Sequence, residues 1–242
     1  MTQLKVLFVA TSNDRVGDTI CPTGVWLEEI AAPYYIFKDA GADLTLASPK
    51  GGEIPVDPKS LSIMVATSLT KRFLKDEDAM QFLSQSKLLG EIYTSEFDLI
   101  YVTGGLGTLC DLSNNTILNQ LLEKQNSQNK LIGMVGHGVV ALLSLQDANG
   151  EPLVKGKKVT GCSNTEEVSG GRAEHMPFLL ESELIFLGAL YSKNDNYVDH
   201  VVADGNIVTG QNPASSEGVA KKILRVLDDR KYMLSHQPAI ST

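Results

Sequence analysis

The run Leu131–Val135 is apolar throughout and stops on Gly136-His137-Gly138, and a second apolar run follows. A strand covered on both faces reads as such a continuous run, because neither face meets water. A tight turn from strand to helix is also where hydrolases lift a nucleophilic side chain clear of the backbone. Here the tip of the turn is glycine. The same pattern recurs along the chain. Leu4–Ala10 reads as a first strand. Gly24–Ala40 reads as a helix with Trp26, Ile30, Ala31 and Phe37 on roughly one side, stopped by Gly41. Leu44–Ala47 and Asp98–Thr103 read as further strands, the latter ending on Gly104-Gly105. Ile117, Leu118, Leu121 and Leu122 form a helical stripe, and Val139–Leu145 is predicted to be helical after the glycine turn. Apolar strands alternating with helices predict an α/β fold with a doubly wound, mostly parallel sheet.

Near the C-terminus HVVADGNIVTG reads as a small hairpin, with Asp204-Gly205 suited to a type I′ turn. Asn212 is placed as N-cap and Pro213 as first residue of a last helix, with Val219, Ile223, Val226 and Leu227 on one face. Residues 50–90 are polar, carry Pro55 and Pro58, and read as an excursion with one or two helices. With 242 residues, 43% of them hydrophobic, the chain can bury one ordinary α/β core or two small ones. No internal repeat or low-complexity linker divides it, so a single domain, 1–242, is expected. A net charge of −8 without a basic patch argues against nucleic acid as partner. No run of 18 apolar residues predicts a membrane span. The apolar stretch near residue 5 is too short for a signal peptide. Three scattered cysteines, Cys21, Cys110 and Cys162, suit a reducing compartment, and a cytoplasmic protein is expected.

Ligands of open α/β sheets bind beyond the carboxyl ends of the strands. Two loops qualify, TGGLGTLCDL after Asp98–Thr103 and VGHGV after Leu131–Val135. Neither is a dinucleotide or P-loop phosphate motif, so no cofactor is expected. His175, His200 and His236 show no metal-ligand spacing, so no metal is expected either.

The segments TGVWLEEIAAPYYIFKDAGADLTLASPKGG, YVTGGLGTLCDL, MVGHG, GKKVTGCSNTEE, PFLLESEL and VTGQNPASS occur in that order. Together they resemble the PfpI (ThiJ/PfpI) family of the class I glutamine amidotransferase-like superfamily, over nearly the whole chain. The nearest branch is that of heat-shock chaperones and glutathione-independent, glyoxalase III-like enzymes. The resemblance implies a flavodoxin-like sheet sandwiched by helices, often dimeric. It also implies conversion of methylglyoxal to lactate, repair of glycated groups, or chaperone activity. The family's elbow reads Cys-His-Gly-Pro, where this chain has Gly136-His137-Gly138-Val139. Its preceding loop is usually Gly-Gly-His-Gly, which here is Gly104-Gly105-Leu106-Gly107, the stretch that would supply oxyanion-binding amides. By the same resemblance Glu29 is the acid that would hydrogen-bond the thiolate. Glu167, or its neighbour Glu166, is the acid that would orient His137.

The family chemistry needs a thiolate to attack an aldehyde, an acid–base group to move protons and amides to hold the oxyanion. Glu29, His137 and Glu167 are present, and the attacking atom is not. Of the pair Glu28-Glu29, one is expected to face inward and the other, Glu28, to be an ordinary surface carboxylate. Cys110 and Cys162 lie in loops expected to approach the site, as alternative nucleophiles or as small buried apolar residues, the usual fate of free cysteine. Trp26 and Tyr34-Tyr35 are read as core or interface. Glycine at a strained elbow removes the nucleophile and relieves the strain together. The expectation is therefore a catalytically silent relative. It would bind a small carbonyl metabolite, another ligand or a partner protein, or serve as a stress-related, chaperone-like homodimer. The alternative is an enzyme of glyoxalase III or deglycase type that uses a relocated cysteine.

Overall fold

The computed structural model describes residues 3–16, 21–93 and 95–235. Its strands are β1 (Lys5–Val9), β2 (Asp43–Ser48), β3 (Lys87–Leu88), β4 (Leu99–Val102), β5 (Leu131–Val135), β6 (Lys158–Val159), β7 (Leu190–Tyr191), β8 (Val201–Asp204) and β9 (Ile207–Gly210). The α-helices are α1 (Leu27–Asp39), α2 (Ser68–Phe73), α3 (Glu77–Ser84), α4 (Thr108–Asp111), α5 (Thr116–Ser127), α6 (Asn164–Ser169), α7 (Leu180–Phe186) and α8 (Ser216–Ser235). Seven strands form one sheet in the order β3-β2-β1-β4-β5-β9-β8, parallel except for β8. β6 and β7 pair separately.

Pleating sorts the apolar runs between two cores. Val6 and Phe8 of β1 join Leu99 and Tyr101 of β4 on the face covered by α1 and α8, where Ile30, Tyr34, Val219 and Ile223 are buried. Leu7 and Val9 join Ile100, Val102, Ile132 and Met134 on the face covered by α5. Both faces are closed, which is why these strands could be uniformly apolar. Tyr34 and Tyr35 sit in the first core, as expected, and pack edge-on at 5.1 Å between ring centroids.

Several elements depart from the sequence reading. The first helix begins at Leu27 rather than Gly24, because Val25 runs extended: its N–H donates to Pro55 O (2.8 Å) and its C=O accepts from Asp57 N (3.0 Å). Leu118, Leu121 and Leu122 of α5 are buried, but Ile117 lies at the edge of the stripe and is exposed. The segment after β5 is a 3-10 helix over Gly136–Leu142, not an α-helix over Val139–Leu145. It is buried at every residue, and β-branched Val139 and Val140 fit a short, tight turn better than a long α-helix. The hairpin is not an appendage: β9 pairs in parallel with β5, and β8 forms the antiparallel edge. Its turn centres on Gly205-Asn206, with positive φ at Gly205 and not at Asn206, so type I′ does not apply. Residues 50–90 hold two short α-helices and end in edge strand β3.

Candidate functional site

Strand order reverses between β1 and β4, and the carboxyl ends of β1, β4 and β5 open onto one crevice, the expected place for a ligand. Three chain segments meet there. The loop after β4 passes so close to the entry of α1 that a Cβ on Gly105 (φ +113°) would run into Gly24 O and lie 3.0 Å from Val25 Cα. Gly136 ends β5 with φ +56°, a conformation that favours glycine. Glu29, in the first turn of α1, fills the space between them. A Cβ on Gly136 would overlap Glu29 Oε1 and lie 3.1 Å from its Cδ, while a Cβ on Gly104 would overlap Glu29 Oε2. The room that a side chain at the elbow would need is taken by a carboxyl group.

That carboxyl is almost fully buried, and its Oε2 has no hydrogen-bond partner. Burial pushes Glu29 far above the ordinary carboxylate range, with the Gly104 amide opposing and nearby Glu166 adding to the rise. Burial therefore favours the protonated form of this carboxyl, which has an O–H to donate. Glu28 is not a surface carboxylate: it is buried, and Thr67, the N-cap of α2, donates to its Oε2 at 2.6 Å.

The opposite wall is built around α6. Ser163 and Glu166 form its capping box, which leaves Glu167 facing the elbow. Glu167 Oε1 accepts from His137 Nε2 and from Cys162 Sγ (3.1 Å), and Oε2 pairs with Arg172 Nε (2.9 Å). Burial alone would raise Glu167, but His137 and Arg172 outweigh it and hold the carboxyl well below its ordinary range. Glu167 is thus the partner of His137. Glu166 instead accepts from Ser163 N (3.1 Å), Tyr197 N (2.8 Å) and Asn212 Nδ2 (2.8 Å). Asn212 occupies the N-cap position, before a 3-10 turn over Pro213–Ser215, but its amide donates to Glu166 and Val198 O, and its Oδ1 accepts from Ser215 Oγ rather than from a backbone N–H.

Glu29, Gly136, His137, Cys162, Arg172 and Trp26 line a cavity of about 140 Å³, together with Gly105 and Leu106. Trp26 therefore belongs to the cavity wall rather than to the core. Cys110 is exposed on α4 and does not line the cavity, so of the two candidate thiols only Cys162 reaches it. Cys162 is buried, and burial together with Glu167 pushes its thiol far above the usual value. Its S–H points to a carboxylate and not to the imidazole, so no Cys–His pair of the activating kind is built. Gly107 closes against the loop after β1, where its Cβ would lie 2.7 Å from Thr11 Oγ1. His200 bonds Ser192 outside the cavity, and His236 lies outside the described residues. The expectation of no metal rested on spacing along the chain. The fold nevertheless brings an imidazole nitrogen of His137, Cys162 Sγ and a carboxylate oxygen of Glu167 within 4.8 Å of one another. The sequence reading missed Arg172, Tyr197 and Asn212 as site residues. Arg172 follows Gly170-Gly171, and a Cβ on Gly170 would lie 2.8 Å from the guanidinium carbon, so that glycine lets the arginine fold back.

A flavodoxin-like sheet with a glycine-tipped elbow, a buried helix acid and a histidine–carboxylate pair defines a class, and the sequence profile of the DJ-1/PfpI family matches residues 19–226. The chain belongs to that family. Among its relatives is the glutathione-independent glyoxalase hsp3101 of Schizosaccharomyces pombe, 29% identical over 217 residues, which span 84% of this chain and 87% of that protein. Among solved structures, Rapid Encystment Protein 24 kDa of Francisella tularensis is 36% identical with a TM-score of 0.88, covering 93% of this chain and 99% of that one. Glyoxalase III of Candida albicans is 26% identical with a TM-score of 0.85, covering 92% and 96%. No helix among the described residues is long and apolar enough to cross a membrane.

Proposed function

We propose that this protein binds a small carbonyl compound in the cavity beside Gly136 and does not perform thiol-dependent glyoxalase chemistry on it. The observation that carries this reading is the Glu29 carboxyl standing where an elbow side chain would be, favoured by burial in its protonated form and with one oxygen unpartnered. A carbonyl oxygen needs a donor, and a protonated carboxyl supplies one. Covalent catalysis needs a nucleophile, and Gly136 has none. The cavity is close to the size of one known to admit benzene, of the order of 150 Å³, so the ligand is a molecule of a few heavy atoms. The test has two arms with purified protein: lactate formation from methylglyoxal, and binding of methylglyoxal and its unreactive analogue acetone followed by NMR. Shifts at the elbow and Glu29 without lactate above background are the expected result. Absence of shifts at any concentration overturns the reading.

A second reading is favoured by one observation, that Cys162 lines the same cavity. It makes the protein a glyoxalase III-like enzyme with a relocated thiol. Robust lactate formation that iodoacetamide abolishes in wild type and that Cys162→Ser removes would establish it. We also take the protein to be a cytoplasmic homodimer with a chaperone-like role in stress. Family membership supports this, and light scattering on the purified protein, with suppression of client aggregation, tests it.

A further inference from the structure

Two protons converge on one oxygen at the wall of the cavity. The Cys162 S–H and the His137 ring both hydrogen-bond Glu167 Oε1, while Arg172 occupies the other oxygen, Oε2. His137, Cys162 and Glu167 are all buried, and one ligand atom of each lies within 4.8 Å of the others. Tetrahedral zinc with bonds of about 2.0–2.3 Å holds its ligands roughly 3.3–3.8 Å apart. The Sγ–Oε1 separation of 3.1 Å therefore needs only a small opening to accept an ion, and the closer His137–Glu167 contact needs a larger one.

We propose that His137 Nε2, Cys162 Sγ and Glu167 Oε1 form a three-ligand site for a borderline-soft divalent cation, Zn²⁺ by chemistry, whose fourth position opens into the cavity beside Gly136. The donor set of one thiolate, one imidazole and one carboxylate suits zinc and excludes the hard, oxygen-seeking Ca²⁺ and Mg²⁺. Charge balances: the ion enters, the thiol proton leaves to solvent, and the imidazole exchanges its Nε2 proton with solvent for one on Nδ1, a tautomer shift that keeps the ring neutral and frees the Nε2 lone pair. A thiolate and a carboxylate then neutralise the ion. Arg172 stays on Oε2 and fixes the orientation of the carboxylate, as groups behind metal ligands commonly do. Because His137 and Cys162 both line the cavity, the open position faces it. A water or the oxygen of a small carbonyl or carboxylate compound completes the coordination there. This inference goes beyond the carbonyl-binding reading, which stands or falls on Glu29 alone.

The experiment titrates metal-stripped full-length protein with ZnCl₂ and with CoCl₂ alone, in wild type, Cys162→Ser and Cys110→Ser. The expected result is one ion per chain, a rise in Tm that EDTA reverses, and a thiolate-to-cobalt charge-transfer band in the near ultraviolet. Cys162→Ser, which keeps a hydrogen bond to Glu167 and so the fold, should lose that band and weaken Zn²⁺ binding on the order of a hundredfold. Cys110→Ser should behave as wild type. Binding without the charge-transfer band, binding unchanged in Cys162→Ser, or no binding to correctly folded wild type overturns the proposal. Methylglyoxal and acetone shifts measured in EDTA report on Glu29 independently, so the two failures are distinguishable.

Discussion

Two carboxyl groups face the same cavity and are opposite in character. Glu29 is buried against glycine backbone, has an oxygen with no partner and is pushed towards its neutral form. Glu167 is as deeply buried, yet a histidine, an arginine and a thiol surround it and hold it ionised. Burial raises both, so burial does not decide the outcome; the partners do. Paired acids whose surroundings drive their protonation apart are a usual mark of acid–base sites. Here the contrast has an origin in the chain. With glycine at position 136, Glu29 meets no elbow side chain, and its Oε2 stays buried against Gly104 without a partner.

The sharpest way to break this comparison is to delete each charge in turn. Glu167→Ala strips the partner from His137 and Arg172, and removing one member of a buried ion pair costs about 3–5 kcal/mol. Glu29→Gln replaces a neutral acid by a neutral amide of nearly the same shape and should cost less than about 1 kcal/mol. Urea unfolding of both variants at pH 7 measures the difference, and equal costs would mean that Glu29 is ionised. The pH dependence sharpens the test. A carboxyl held low in the folded state adds stability that is present above its unfolded value, near 4.3, and is lost as the pH falls below it. A carboxyl held high adds stability that is complete below that value and is lost as the pH rises through its folded one. The gap between wild type and Glu167→Ala should therefore shrink below about pH 4. Glu29→Gln should gain on wild type from pH 5 upward, and parallel curves would remove the contrast.

Position 136 offers a smaller effect. Gly136→Cys adds a Cβ at positive φ against Glu29, so a loss of roughly 1–3 kcal/mol is expected, with Tm lowered. The strain lies against one side chain, so Glu29→Ala should recover part of it, and a coupling of about 0.5 kcal/mol or more in the double-mutant cycle is the expected sign. The new sulfur sits at the start of the 3-10 helix beside a protonated carboxyl, and it should alkylate faster at neutral pH than a free thiol. An unchanged Tm with ordinary thiol reactivity would show that residue 136 is not an elbow.

How far the sequence carried this picture depends on the kind of information each residue encodes. Apolar strands, the helix stripes and the glycine elbow follow from local pattern, and β1, β4 and β5 stand within a residue or so of where that pattern puts them. The raised pKa of Glu29 was foreseeable only through the family likeness. What occupies the space beside Gly136 was not, because it depends on the fit of α1 between two loops far apart in the chain. Arg172, Tyr197 and Asn212 escaped for a similar reason: each acts through a carboxylate on α6, and nothing near them in sequence marks the partner. Tyr197 carried no visible signal at all, since its φ of +63° is set by the turn that brings its N–H to Glu166. The metal-ligand cluster was invisible to spacing because its donors come from the elbow, from Cys162 at the mouth of α6 and from α6 itself.

The smallest expected effect concerns Cys162, and it tests whether the ionised wall governs its neighbours as the comparison requires. The thiol is 6% exposed, and its hydrogen bond ends on an anion, so ionising it would set two negative charges about 3 Å apart. Burial and Glu167 both push its value up, and only Arg172 pulls against them. At neutral pH in EDTA, iodoacetamide should therefore modify Cys162 more slowly than a free thiol of pKa about 8.5, while exposed Cys110 reacts first. Modification of Cys162 should approach the rate of Cys110 only when urea opens the fold. Cys162→Ser keeps a donor of similar size facing Glu167, so its stability should stay within about 1 kcal/mol of wild type. Peptide mapping after timed alkylation reads both sites in one experiment. Should Cys162 react as fast as a free thiol in the folded protein, Glu167 does not hold its charge there. The relocated-nucleophile reading would then gain the activated thiol that the geometry denies it.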